Sequence, residues 1–154
     1  MTPKLITAIL LTCALGQPGT AQSPDPTGSA PEMPLITETD SLDQFLWLAR
    51  PVVVFADTPN DPRFIQQMAM LEDQKAALLE RDVVVIVDTD PKANSAIRRQ
   101  LRPRGFMLVL IDKDGRVQMR KPNPWSVREI SRAIDKTPLR LDEIREGQNP
   151  HGAG

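Results

Sequence analysis

The sequence predicts an α/β domain on a mixed four-stranded sheet, with strand order 2-1-3-4, the last strand antiparallel and helices on both faces. Three observations predict it. Apolar, β-branched runs recur at 52–56, 83–87 and 106–111 between amphipathic stretches, as expected of strands buried on both faces and joined by helices. Two of those helices open on nearly the same Asp-Pro signal. The turn Asp112-Lys113-Asp114-Gly115 then folds the third strand into a hairpin, because glycine tolerates the positive φ that such turns require.

Asp40 or Ser41 can cap a first short helix, in which Leu42, Phe45, Leu46 and Ala49 recur at i, i+3, i+4 and i+7. Trp47 falls off that stripe and is expected to pack against a neighbouring element. Pro51 ends the helix, and Val52–Ala56 forms the first strand. The turn Asp57-Thr58-Pro59-Asn60 leads into a helix with Asp61 as N-cap and Pro62 as its first residue. Phe64, Met68, Leu71, Leu78 and Leu79 give that helix its apolar side, and Val83–Val87 follows as the second strand. Asp88-Thr89-Asp90-Pro91 repeats the start signal for a shorter helix carrying Ala93, Ala96, Ile97 and Leu101. Pro103 and Gly105 stop it before the third strand, Phe106–Ile111, and Val117–Arg120 returns from the hairpin with the alternation of an edge strand. Ser126 and Glu129 form a capping box for the last helix, with Trp125 and Ile130 at the hydrophobic-staple positions. Two right-handed βαβ crossovers followed by a hairpin complete the predicted topology.

Residues 1–21 read as a secretory signal peptide: Lys4, the apolar run Leu5–Leu15, then the small residues Gly19-Thr20-Ala21 at a cleavage site. The run is shorter than the roughly 18–20 residues that span a bilayer, and nothing later in the mature chain could span one. A periplasmic or secreted protein cleaved near Ala21 is expected, the alternatives being an uncleaved anchor and lipid attachment at Cys13. Residues 22–37 read as a Pro-rich disordered tether, 38–140 as the folded domain and 141–154 as a polar tail. Among 154 residues, 19 Lys+Arg against 20 Asp+Glu leave no electrostatic case for nucleic acid. The one cysteine, Cys13, falls in the segment expected to be removed. The one histidine, His151, falls in the tail, which excludes Ser-His and Cys-His catalysis and multi-histidine metal sites.

The predicted arrangement is thioredoxin-like, and a truncated flavodoxin-like sheet fits the hairpin-helix ending less well. Leu46-Trp47-Leu48-Ala49-Arg50-Pro51 running into Val52–Ala56, Glu80-Arg81-Asp82-Val83-Val84, and Gly105-Phe106 through Asp114-Gly115 together resemble the thioredoxin-like domain of unknown function numbered 4174. The resemblance spans roughly residues 41–135 and implies a fold without an established activity. Active thioredoxins place Cys-x-x-Cys where the first strand turns into the first helix, whose N-terminus stabilises a thiolate. Here Pro59-Asn60-Asp61-Pro62 holds that position. Thioredoxins also carry a cis-proline before the third strand, whereas the matching stretch here is Gly105-Phe106-Met107. Thiol–disulfide and peroxidatic chemistry are therefore not expected.

Two clusters are candidate sites. Asp57 and Asp61 follow the first strand, Asp88 and Asp90 the second, and ligands of open α/β sheets favour that carboxyl rim. With Thr58, Asn60 and Thr89, these carboxylates form a candidate oxygen site for a divalent cation or small ligand, or for an uncharacterised enzyme. Helix capping accounts for the Asp-Pro pairs without any ligand. Arg98, Arg99, Arg102 and Arg104 form a candidate face for an acidic partner, against which Arg98 and Arg102 at i, i+4 also describe an ordinary solvated face. No catalytic residue and no cofactor are expected, and the leading expectation is a non-catalytic module that binds a protein or peptide.

Overall fold

A computed structural model describes residues 34–36, 39 and 41–148. The expected signal peptide, its cleavage site and Cys13 lie outside the described residues. The strands are β1 (Leu35–Ile36), β2 (Arg50–Phe55), β3 (Val83–Asp88), β4 (Met107–Ile111) and β5 (Val117–Lys121). The helices are α1 (Pro62–Asp73), α2 (Lys75–Leu79), α3 (Ala96–Leu101), α4 (Val127–Ile134) and α5 (Pro138–Gln148). The sheet order is β1-β3-β2-β4-β5, so the four predicted strands lie in the order read from the sequence, here β3-β2-β4-β5.

One strand direction corrects the sequence reading. β3 runs parallel to β2, with Val53 opposite Ile86, but β4 runs antiparallel to it, with Val53 opposite Val109. The connection after β3 is therefore not a second βαβ crossover. Its only α-helix, α3, has 6 residues and extends about 9 Å, too short to run back along a six-residue strand of about 20 Å. Arg102 (φ 50°) and Gly105 (φ 59°) turn the chain round in the left-handed region, and it re-enters the sheet at the end it left. Of the two expected crossovers, only that from β2 to β3 joins parallel strands.

β2 is the central strand and every residue of it is buried, which is why its apolar run shows no alternation. Its side chains feed two cores. Val52 and Val54 pack with Leu71, Leu78, Phe106, Leu108, Ile130 and Ile134 beneath α1, α2 and α4. Val53 and Phe55 pack on the other face with Leu42, Ile97, Leu101 and Val109 beneath α3 and the loop before β2. The capping box at the start of α4 forms as the sequence implies: Glu129 N–H donates to Ser126 Oγ, and the Glu129 carboxylate accepts from Ser126 N–H.

Several boundaries differ from expectation: Pro51 lies within β2, the helix expected through Leu79 breaks at Gln74 into α1 and α2, and Asp90-Pro91 opens a 3-10 turn ahead of α3, which Ser95 caps. The helix expected over 42–49 is one 3-10 turn, Asp43–Phe45, because Trp47 adopts φ 63° and its N–H donates to the Lys113 carbonyl at 2.8 Å instead of continuing the helix. Leu35–Ile36, within the expected tether, adds β1 beside Val85 and Ile86 of β3. The expected polar tail from residue 141 instead continues α5 as far as Gln148.

Candidate functional site

The parallel pair β2–β3 ends in two turns that meet at one rim, where Ala56 N–H donates to the Asp88 carbonyl at 3.0 Å. Asp61 caps α1: its Oδ1 accepts from Arg63 N–H at 2.9 Å, and its Oδ2 pairs with the Arg63 guanidinium at 2.9 Å. The Arg63 side chain holds the Asp61 carboxyl below its ordinary value. The same guanidinium lies 5.5 Å from the centroid of the Phe106 ring. Pro62 occupies the first helical position, where its missing N–H leaves no bond unmade. Pro59 and Asn60 are exposed in the turn before it. Opposite them, a Cβ on Gly105 would lie 3.8 Å from Asp57 Oδ2, so the loop before β4 faces this turn across the rim. Among the described residues there is no cis peptide bond.

Asp88 has a different environment. Its Oδ1 receives Arg98 Nη2 at 2.7 Å and Nε at 3.2 Å, and its Oδ2 receives the Ser95 hydroxyl at 2.5 Å. Burial pushes this carboxyl up, but Arg98 and Ser95 outweigh that effect and leave it below its ordinary value. Asp90 caps the turn Pro91–Ala93, accepting from Lys92 N–H at 2.9 Å. A cavity of about 410 Å³ opens beside β3 and α3, lined by Thr39, Ile86, Asp88, Thr89, Ser95 and Ile97 among others.

Asp61, Asp88 and Asp90 thus serve caps and an arginine, and Asp57 stands exposed. Among the described residues, no group of three or more His, Cys, Asp or Glu side chains is placed to hold a metal ion. The four-carboxylate cation site is not assembled. The physical reason is local: a carboxylate two residues before a free helical N–H finds that donor first.

The candidate arginine face loses one of its four members. Arg98 is buried, not solvated: besides Asp88 it donates to the Ala56 carbonyl at 3.1 Å and lies 5.3 Å from the centroid of the Phe55 ring. Arg99, Arg102 and Arg104 are exposed, and Arg99 bonds the Asn94 carbonyl.

The densest charge cluster was absent from the sequence reading and lies at the opposite pole. Arg50, 1 % exposed at the start of β2, donates to Asp112 at 2.8 Å, to the Arg81 carbonyl at 3.1 Å and to Glu143 of α5 at 2.9 and 3.2 Å. Lys113 and Arg140 also reach Glu143, at 2.9 and 3.2 Å. Burial acts to raise the Glu143 carboxyl, but the Arg50, Lys113 and Arg140 bonds outweigh it and hold it at about 2. The available signal is an arginine at the head of an otherwise apolar strand, with an aspartate directly after the strand beside it.

Comparisons with known proteins agree with this geometry. No curated protein matches the sequence. A chloroplastic thioredoxin z superposes with a TM-score of 0.53 at 18% identity, covering 70% of this chain and 95% of that one. Reduced 2-Cys peroxiredoxin from Plasmodium vivax gives 0.51 at 21% identity, covering 67% and 84% respectively. At such identities the likeness concerns the fold alone, and the fold is thioredoxin-like. The family model described as Domain of unknown function (DUF4174) matches residues 41–143, from the loop before β2 into α5, and the chain belongs to that family.

Proposed function

We propose that the protein is an exported, redox-inactive thioredoxin-like module that binds a protein or peptide partner without turning over a substrate. One observation carries the reading. The turn between β2 and α1, where thioredoxins present their dithiol, is Pro59-Asn60-Asp61-Pro62, and the chain's one cysteine is Cys13. A thiolate nucleophile is needed for disulfide exchange or peroxide reduction, and the mature chain would contain no sulfur except methionine. The Lys4-to-Ala21 segment supports export.

Insulin reduction by the purified mature protein tests the chemistry, with Pro59→Cys/Pro62→Cys alongside. Wild type is expected to leave insulin soluble, and thiol-dependent precipitation by wild type overturns the reading. N-terminal sequencing of protein recovered from the cell envelope should begin near Gln22, whereas Met1 or a blocked Cys13 overturns cleavage at Ala21. A photo-crosslinking residue at Asn60 is expected to give one discrete protein adduct in cells. Absence of any adduct there counts against partner binding at the rim.

A further inference from the structure

α5 closes the Arg50 pole without contributing to the interior. Among the described residues neither core contains a side chain from it. Of residues 138–147, Leu139, Arg140 and Glu143 are half-buried and the rest are exposed, Leu141 and Ile144 among them. The helix has 11 residues, a length at which an isolated helix is marginal in water. Its order therefore depends on its contact with the body.

The polar ties converge on one side chain. Glu143 Oε1 accepts from Arg50 Nη2 and from Lys113 Nζ, each at 2.9 Å. Its Oε2 accepts from Arg50 Nη1 and from Arg140 Nη1 of the same helix, each at 3.2 Å. The Arg50 fork is thus bidentate, a strong geometry for a carboxylate. The other ties are poor. Arg140 Nε lies 3.8 Å from Asp135 and Nη2 4.0 Å from Glu80, both beyond hydrogen-bond reach, and that Nε is buried without a hydrogen-bond partner among the described residues. Thr137, 5% exposed, fixes only the start of the helix: Arg140 N–H donates to its Oγ1 at 3.3 Å and Leu141 N–H to its carbonyl at 3.1 Å.

The body does not need the helix in return. Arg50 keeps Asp112 at 2.8 Å and the Arg81 carbonyl at 3.1 Å whatever Glu143 does. Lys113 keeps Asp82 at 2.7 Å, and Arg81 keeps Asp135 at 2.8 Å. The Lys113 main chain is fixed separately, its carbonyl accepting from Trp47 N–H at 2.8 Å, and the Trp47 side chain, expected to pack, is 67% exposed. With Glu80 and Arg140, these are the charged groups around Glu143, from β2, from the turns after α2 and β4, and from the end of α4. Beside the carboxylate itself cations predominate, and they hold it at about 2 against an ordinary 4.5. Docking by this carboxylate is therefore complete above about pH 4.5 and fades as pH falls towards 2.

We propose that α5 is an acid-released strap, latched across the Arg50 pole by the Glu143 carboxylate between Arg50 and Lys113. Release opens the outer nitrogens of Arg50 to water while β2 and both cores stay folded. The proposal goes beyond the redox-inactive reading and does not depend on it.

Hydrogen exchange of the full chain tests the strap, read by mass spectrometry on segments covering α5 and β2 and normalised for the pH dependence of the chemical exchange rate. At neutral pH, Glu143→Gln is expected to lower the protection of α5 at least about tenfold and to leave β2 unchanged. Wild type should lose the same protection as pH falls from about 4.5 to about 3, a range in which Glu143→Gln changes little. Lys113→Met, which leaves Arg50 on Asp112, gives a second reading at neutral pH in the same direction. Equal protection of α5 in wild type and both variants overturns the proposal, as does a wild-type α5 still fully protected at about pH 3. A loss of protection that α5 and β2 share also overturns it, since that is unfolding of the whole domain and not release of a strap.

Discussion

A guanidinium with 1% of its surface exposed is tolerable at Arg50 because its nitrogens are placed on Asp112, Glu143 and the Arg81 carbonyl. Replacing it strands Asp112, whose side chain is 3% exposed, without its counter-charge. Arg50→Leu should therefore lower the unfolding free energy by about 3–5 kcal/mol in urea titrations. A loss under about 1 kcal/mol would mean that the cluster relaxes or hydrates at little cost. Glu143 gives the same cluster a pH signature. Its folded value of about 2 lies below the ordinary 4.5, so its ion pairs stabilise the fold fully above about pH 4.5 and are lost as pH falls towards 2. The stability gap between wild type and Glu143→Gln should accordingly stay constant above that window and close within it. A gap unchanged down to pH 2 would assign the titration to another group.

Individual elements differ in how visible they are in the sequence, and the difference follows the forces that hold them. α4 announces itself: the Ser126 and Glu129 box is local, and Val127, Ile130 and Ile134 share one buried face. Ser126→Ala should cost about 1 kcal/mol in thermal or urea unfolding, and an effect near zero would show that water replaces the cap freely. α5 offers no such pattern. Leu141 and Ile144 are exposed, and the helix is held by Glu143 and Arg140, ion pairs that hydrophobic periodicity does not register. The loop before β2 misled for a related reason, since Leu42, Phe45, Leu46 and Ala49 have helical spacing. A long-range bond from Trp47 to Lys113 and a positive φ override it. Asp61 and Asp90 are legible as caps, whereas the pairing of Asp88 with a buried Arg98 requires knowing that Asp88 and Ala56 meet at one rim.

At the scale of the molecule, strand order was legible because apolar runs and connection order constrain it, but the direction of β4 was not. That direction depends on whether α3 runs the length of the sheet, a matter of a few residues of helix and two left-handed turns. The sheet it produces separates the interior into two cores that share only the backbone of the strands between them. Ile130, fully buried, belongs to the core under α1, α2 and α4, and Ile97 belongs to the core under α3. Removing one methylene from either should cost about 0.5–1.5 kcal/mol. Because the two side chains lie on opposite faces and share no side-chain partner, Ile130→Val and Ile97→Val should add to within about 0.5 kcal/mol. Unfolding should nevertheless remain one cooperative transition, since β2, β3 and β4 each contribute to both faces and neither core can open without them. Coincident far-ultraviolet circular dichroism and tryptophan fluorescence curves for the double variant would support that coupling through the strands. Separated curves, or an interaction energy well above 0.5 kcal/mol, would show instead that one face melts alone or that strain crosses the sheet.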